Sequence, residues 1–234
     1  MVSRELENTI IASEIIPPPA FSPKGRLSQK GPLTAEETSG GIKPLGRSFY
    51  ERNTQIAAFE LIGKILVLRQ DRLVLSGKIV ETEAYFGAHD PASHAYRGVT
   101  PRNQVMFGPA GFSYVYFTYG NHYCFNVTTE QEGVAGAVLI RAVEPISGIS
   151  VMEKNRGHVS HQQLTNGPGK LTQAFGMTCK HSSVDLTQDD SFCITEGREG
   201  GVLHIQVTRR IGISRAQHMP YRFYLSNSPF VSVR

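Results

Sequence analysis

The sequence predicts an α+β fold built on an antiparallel sheet, and three observations predict it. Extended segments follow one another across short turns, segments with helix caps fall among them without strict alternation, and no internal repeat divides the chain. At 234 residues, 40% of them hydrophobic, one sizeable core is the default expectation.

Residues 1–43 read as a disordered or loosely attached leader, because Pro17, Pro18, Pro19, Ser39, Gly40 and Gly41 punctuate a stretch with little periodic apolar content after Ile16. The compact part, 44–234, opens with a helix capped at Asn53 or Thr54 and running through Ala57, Ala58, Phe59 and Leu61. Segments 65–69 and 73–85 are β-branched and alternating, and they pair across a charged turn at Asp71. Two aromatic runs within 112–129 flank Tyr119, Gly120 and Asn121, where Gly and Asn suit the positive backbone angles of a tight hairpin turn. A strand is expected over 137–143, and helices over 146–155 and 168–175, the latter with Pro168 in its first turn. Strands return at 202–208 and 221–225.

The formal net charge is +4, and within 1–43 five basic residues meet five acidic ones, so the whole excess lies after Lys43. A polyanionic partner suits that distribution. Three cysteines without a C-x-x-C pair read as reduced thiols of an intracellular protein, and no stretch approaches the ~20 apolar residues of a membrane helix. Neither a phosphate-binding loop nor a dinucleotide glycine pattern is present, which argues against ATP or NAD. His89 and His94, with Asp90 between them, fall short of a metal-ligand set. No cofactor and no metal are expected.

Alternation along 73–85 places Ile79, Glu81, Glu83 and Tyr85 on one face, with the two carboxylates roughly 7 Å apart. Two acids beside aromatics either form a solvated face or do chemistry, because unpaired buried carboxylates are costly. If both are buried, their like charges should leave one of them protonated near neutral pH. Phe112, Tyr114, Tyr116 and Thr118 share one face of the hairpin, and Tyr119 sits at its tip, either packed under its own loop or free to wedge into a base stack. Tyr85, Tyr114, Tyr116 and His94 taken singly read equally as core aromatics. Basic residues recur at Arg141, Arg156, Lys170, Arg209, Arg210, Arg215 and Arg222, a pattern that suits phosphate contacts.

Ordered motifs run through the compact part: I-V-E-T-E-A-Y at 79–85, T-P-R-N at 100–103, Y-V-Y-F-T-Y-G at 114–120, Y-C-F-N at 123–126, L-I-R-A-V-E-P at 139–145, G-P-G-K-L at 167–171, and R-F-Y and S-P-F-V-S near the end. By these the chain resembles the alkyladenine (3-methyladenine) DNA glycosylase family. The resemblance implies a single domain with a curved antiparallel sheet, a protruding β-hairpin and surrounding helices. It implies base-excision repair: a damaged purine (3-methyladenine, 7-methylguanine, and hypoxanthine and ethenoadenine as further candidates) is flipped from duplex DNA and its N-glycosidic bond hydrolysed. Glu83 matches the base that activates water. Tyr85, His94 and Tyr116 match residues that hold the everted base, and Asn126 the residue that opposes guanine's 2-amino group. Tyr119 matches the side chain that fills the gap in the duplex, and Arg141 a basic residue beside the flipped nucleotide. Arg156 and Lys170 match phosphate contacts. Ala110, Asn121 and Tyr221 stand where Pro, Met and Trp are common in the family, and Asn121 weakens apolar insertion beside Tyr119. No matched pocket motif supplies a Schiff-base lysine, so no lyase step is expected.

The expected partner is double-stranded DNA containing damaged purines, without a membrane, and the expected state is a monomer in the bacterial cytoplasm at the nucleoid or in a eukaryotic nucleus. Two other classes compete: a silent binder of distorted DNA, which needs no acid at position 83, and a hydrolase of free nucleosides, which needs no duplex wedge.

Overall fold

One long strand organises the sheet. The computed structural model describes residues 42–118, 120–197 and 202–233, and within them β2 (Leu73–Phe86) changes neighbours along its length. One edge of β2 pairs first with β1 (Ile65–Gln70) and then, at 81–83, with β8 (Arg222–Leu225). The other edge pairs with β5 (Gly136–Ser147) from Ser76 to Phe86. Beyond β5 lie β4 (His122–Thr128) and the edge strand β3 (Ser113–Thr118), beyond β1 lies β6 (Phe192–Thr195), and β7 (Ile205–Thr208) pairs with β8. Every one of these pairings is antiparallel, and the exchange of β1 for β8 curls the sheet into a half-barrel. The chain is therefore α+β with a curved antiparallel sheet, as expected, and its helices are few rather than a surrounding layer.

Register shifts on β2 between Ser76 and Gly77, Ile79 and Glu81, and Glu81 and Thr82 mark bulges, which bend a strand and re-aim its side chains. The predicted face survives them only in part. Glu81, Glu83 and Tyr85 share a face, but Ile79 joins Val80 in the main apolar core because the bulge between Ile79 and Glu81 breaks the period of two.

The helices pack on this frame. In α2 (Thr54–Glu60) the Asn53 side chain accepts from Gln55 N and Ile56 N, satisfying first-turn donors as an N-cap should. Thr82 Oγ1 donates to Ala58 O at 2.8 Å, and Phe59 meets Phe223 edge to face, so α2 is pinned to β2 and β8. A short α1 (Arg47–Tyr50) precedes it. The pair α3 (Ile149–Arg156) and α4 (Pro168–Ala174) is joined by Asn155 Nδ2 donating to Ala174 O at 3.0 Å, while Thr172 Oγ1 donates to Tyr123 O on β4. Met152, Leu171 and Phe175 are fully buried beneath these helices. Truncating any of them to Ala costs about 3 kcal/mol.

Several expectations shift. The helix predicted over 146–155 begins only at Ile149: β5 stays paired to β2 as far as Ser147, and Gly148 at φ 74° turns the chain into α3. Strand β6 was invisible to alternation because it is four residues long, and tertiary pairing with β1 makes it. Of the strand predicted over 202–208, 205–208 forms, and residue 201 lies outside the described residues. In the hairpin turn Gly120 takes a positive φ, at 71°, and Asn121 does not; its side chain hydrogen-bonds His122 Nδ1. Tyr119, at that tip, lies outside the described residues, as does the leader except Ile42 and Lys43. Those two are already tied to the body, since Lys43 O accepts from Thr195 Oγ1 at 2.8 Å.

Among the described residues no helix is long and apolar enough to cross a membrane, and no group of three or more His, Cys, Asp or Glu is placed to hold a metal ion. The three cysteines are unpaired thiols.

Candidate active site

A cleft of about 580 Å³ opens where β2, β3, β4 and β5 meet the loop after β2 and the loop before β8. Tyr85, His94, Tyr116, Asn126 and Arg141 all line it. Five residues spread over 57 positions of sequence thus converge: adjacent antiparallel strands put Tyr85, Tyr116, Asn126 and Arg141 side by side, and the loop after β2 adds His94.

Glu83 forms the wall behind this lining. It is fully buried, yet both oxygens are engaged: Oε1 accepts from Ile211 N at 2.7 Å, and Oε2 accepts from Tyr85 Oη at 2.8 Å and from Arg141 Nη1 at 3.3 Å. Ile211, Tyr85 and Arg141 are all cleft-lining residues, so the carboxylate stands one side chain from the open space. Burial pushes the Glu83 pKa above the ordinary carboxylate value, while Arg141, the Ile211 amide and the Tyr85 hydroxyl pull it back and the Glu81 charge adds slightly to the rise. The same burial, with the Glu83 charge beside it, pushes the Tyr85 phenol well above its usual value, so the hydroxyl remains a donor.

Glu81 is also fully buried, as the burial condition on the two acids required. Like-charge repulsion does not act alone, however. Arg141 lies between the carboxylates, donating from Nε to Glu81 Oε1 at 3.2 Å and from Nη1 to Glu83 Oε2. Arg222 Nε donates to Glu81 Oε1 at 2.7 Å. Two acids and two guanidiniums form one buried, hydrogen-bonded cluster.

The aromatic side of the cleft is a set of interlocked rings. His94 meets Tyr116 edge to face at 4.5 Å and shares a 2.8 Å hydrogen bond between Nδ1 and Tyr114 Oη. His94 is open to solvent on its cleft side; enclosure by these rings, with the Arg102 guanidinium nearby, pushes its pKa down to about 4 and keeps it neutral at pH 7. Tyr114 and Tyr116 lie 5.1 Å apart, and Arg102 sits over the Tyr116 ring at 4.8 Å. Asn126 is buried opposite Tyr114 on β4, and its Nδ2 donates to Tyr114 O at 3.0 Å, which fixes the amide's orientation in the cleft wall.

Two predicted contacts fall outside the cleft lining. Arg156, at the end of α3, donates to Gln173 Oε1 and Gln163 O, and Lys170 Nζ donates to Asn166 Oδ1 at 2.8 Å; Pro168, at the start of the same α4, does line the cleft.

Sequence reasoning missed a second buried pair. Arg210 donates to both oxygens of Asp90 at 2.5 and 2.7 Å and to Ala84 O, and its guanidinium covers the Tyr85 ring at 4.6 Å. Counted among the phosphate-facing cations in the sequence, Arg210 and Arg222 are both buried. The one signal that could have separated Arg222 was its place inside the R-F-Y motif, on a strand flanked by buried aromatics.

The comparisons with known proteins point to one family. Residues 48–229 match the family model described as methylpurine-DNA glycosylase (MPG). A relative from Carboxydothermus hydrogenoformans is 51% identical over 188 residues, covering 80% of this chain and 98% of its own length. Relatives from Chlorobaculum tepidum (46% over 192 residues, 82% of this chain and 91% of theirs) and Francisella tularensis (48% over 178 residues, 75% and 92%) stand beside it. All three are named, provisionally, 3-methyladenine DNA glycosylases. With the fold, the cleft and this coverage together, the chain belongs to the methylpurine-DNA glycosylase family of DNA-repair hydrolases that act on N-glycosyl bonds.

Proposed function

We propose that the protein is a monofunctional glycosylase that flips a damaged purine out of duplex DNA into the cleft and cleaves its N-glycosidic bond with water activated by Glu83. The observation that carries this reading is the buried Glu83 carboxylate held by three cleft-lining groups, Tyr85, Arg141 and the Ile211 amide.

In the reaction, Tyr85, His94 and Tyr116 hold the everted base between aromatic faces, and the Asn126 amide opposes a guanine 2-amino group. As the C1′–N bond stretches, positive charge grows on the sugar, and the Glu83 carboxylate stabilises it. Water forms the new C1′–O bond and gives its proton to Glu83, while the electron pair of the broken bond leaves with the base. An alkylated purine such as 3-methyladenine or 7-methylguanine is cationic and departs neutral, so selectivity rests on stacking and steric exclusion. Hypoxanthine and ethenoadenine are neutral and need a proton at the leaving group.

Tyr119 fills the gap left in the duplex, Arg141 lies beside the flipped nucleotide, and Arg156 and Lys170 meet the phosphate backbone. One flipped nucleotide needs one pocket, so the working unit is a monomer, its domain 44–234 preceded by a leader. As a repair enzyme acting on chromosomal DNA it works at the nucleoid of a bacterial cell or in a eukaryotic nucleus.

The test incubates purified protein with duplexes each bearing one lesion and detects abasic sites by alkali cleavage. Base release from duplex, with strand breakage only after alkali, is the expected result. Duplex binding without release would identify a silent binder, release only from free nucleosides a nucleosidase, and breakage without alkali a lyase step.

A further inference from the structure

Glu81 is fully buried, and where all three partners of Glu83 line the cleft, only Arg141 among the partners of Glu81 does. Glu81 accepts four hydrogen bonds: from Arg141 Nε at 3.2 Å, Arg222 Nε at 2.7 Å, Ser232 N at 2.7 Å and Ser232 Oγ at 2.9 Å. A fully buried carboxylate with that many donors is a fixed point, and what it fixes on the cleft side is Arg141.

We propose that Glu81, clamped by Arg222 and the C-terminal Ser232, is a positioning residue that holds the Arg141 guanidinium against Glu83. The proposal rests on the assignment of Glu83 as the base.

The clamp is anchored well beyond Glu81. Arg222 also donates to Thr208 Oγ1 at 3.2 Å and to Val233 O, and it lies over the Tyr224 ring at 4.5 Å. Ser232 Oγ, besides meeting Glu81, accepts from Arg141 Nη2 at 3.4 Å. Arg141 is thus gripped at Nε and Nη2 by one assembly, leaving Nη1 aimed at Glu83. Both carboxylates would compete for a loose guanidinium; held in this way, it divides between them.

The same geometry couples Glu81 to the ionisation of Glu83. The groups that face Glu83 are Arg141 on β5, Arg222 opposite it on β8, Arg210 on the loop above Tyr85, Tyr85 and Glu81 on its own strand, and Cys124 on β4. Glu81 is the carboxylate among them. Neutralising it removes a charge that disfavours ionised Glu83 and leaves Arg141 with one carboxylate instead of two, so Glu83 keeps its negative charge to lower pH.

The experiment measures single-turnover base release against pH on a 7-methylguanine duplex, a cationic lesion that needs no leaving-group acid. The wild type should lose activity as pH falls through the raised Glu83 value, since the base works only when deprotonated. Glu81→Gln should move that acid limb to lower pH and lower the plateau about tenfold through a looser Arg141, with duplex affinity little changed. Glu81→Asp keeps the charge but shortens the reach: its limb should stay near the wild-type position while its plateau falls. Ser232→Ala keeps every charge and removes one grip on Arg141, so its plateau should fall roughly threefold with the limb unmoved.

A folded Glu81→Gln with wild-type limb and plateau would overturn the proposal, as would wild-type plateaus in both Glu81→Asp and Ser232→Ala, which decide the matter if Glu81→Gln does not fold. Glu83→Gln separates the two levels. Wild-type release in that variant removes Glu83 as base and the proposal with it, whereas an inactive Glu83→Gln beside wild-type behaviour at position 81 overturns the positioning role alone.

Discussion

Two buried arginines flank the wall formed by Glu83 and Tyr85, and they are held in opposite ways. Arg210 is closed on one acid: Asp90 takes two of its nitrogens at 2.5 and 2.7 Å, and the Arg210 side chain is 0% exposed. Arg141 is shared: its contacts to Glu81 and Glu83 are longer, 3.2 and 3.3 Å, and its side chain keeps 9% exposure, on the cleft. A short two-pronged pair makes an anchor, here for the loop that carries the Ile211 amide to Glu83. A guanidinium divided between two carboxylates is held by longer contacts and keeps its exposed part on the space where a nucleotide would sit. Burial alone therefore does not distinguish structural from functional charge; the way the partners are divided does.

Breaking the shared side should have the largest effect. Glu83→Gln keeps the size of the side chain and removes the base, so base release from lesion duplex should fall by on the order of 10³-fold while duplex affinity is retained; parallel single-turnover and binding assays read both. Breaking the closed side should appear in stability instead. Asp90→Asn leaves the Arg210 charge uncompensated in the interior and should cost about 3 kcal/mol, measured as the denaturant midpoint, with release per folded molecule falling far less than in Glu83→Gln. Asn126→Ser removes the amide that faces the cleft, and release of guanine-type relative to adenine-type bases should rise about tenfold in competition assays. The smallest effect is expected away from the cleft. Arg156→Gln and Lys170→Gln should each weaken duplex binding a few-fold at low salt and reduce the slope of log affinity against log salt by about 0.9, with the plateau rate of release unchanged.

The shared side was largely legible in the sequence and the closed side was not. Period-two alternation put Glu83 and Tyr85 on one face, and a hairpin of aromatics put Tyr114 and Tyr116 on another, because local geometry dictates those relations. The same rule failed at Ile79, where a bulge interrupts it. Asp90 and Arg210 lie 120 residues apart and carry no periodic signature; only the curl that brings the 87–98 loop and the 209–215 loop against β2 pairs them. The motif resemblance pointed to Arg141 but not to its division between Glu81 and Glu83, which depends on Arg222 and Ser232 at the far end of the chain. Arg156 and Lys170 read as cations in the sequence, and in the fold each is already hydrogen-bonded to a neighbouring side chain outside the cleft.

The most direct measurement is a crystal structure of the Glu83→Gln variant bound to a duplex carrying a single ethenoadenine. The lesion should lie in the cleft against Tyr85, His94 and Tyr116, with the residue-83 amide separated from the sugar C1′ by one water. A lesion still stacked in the helix, or a C1′ turned to the opposite side of the base from residue 83, would contradict the account.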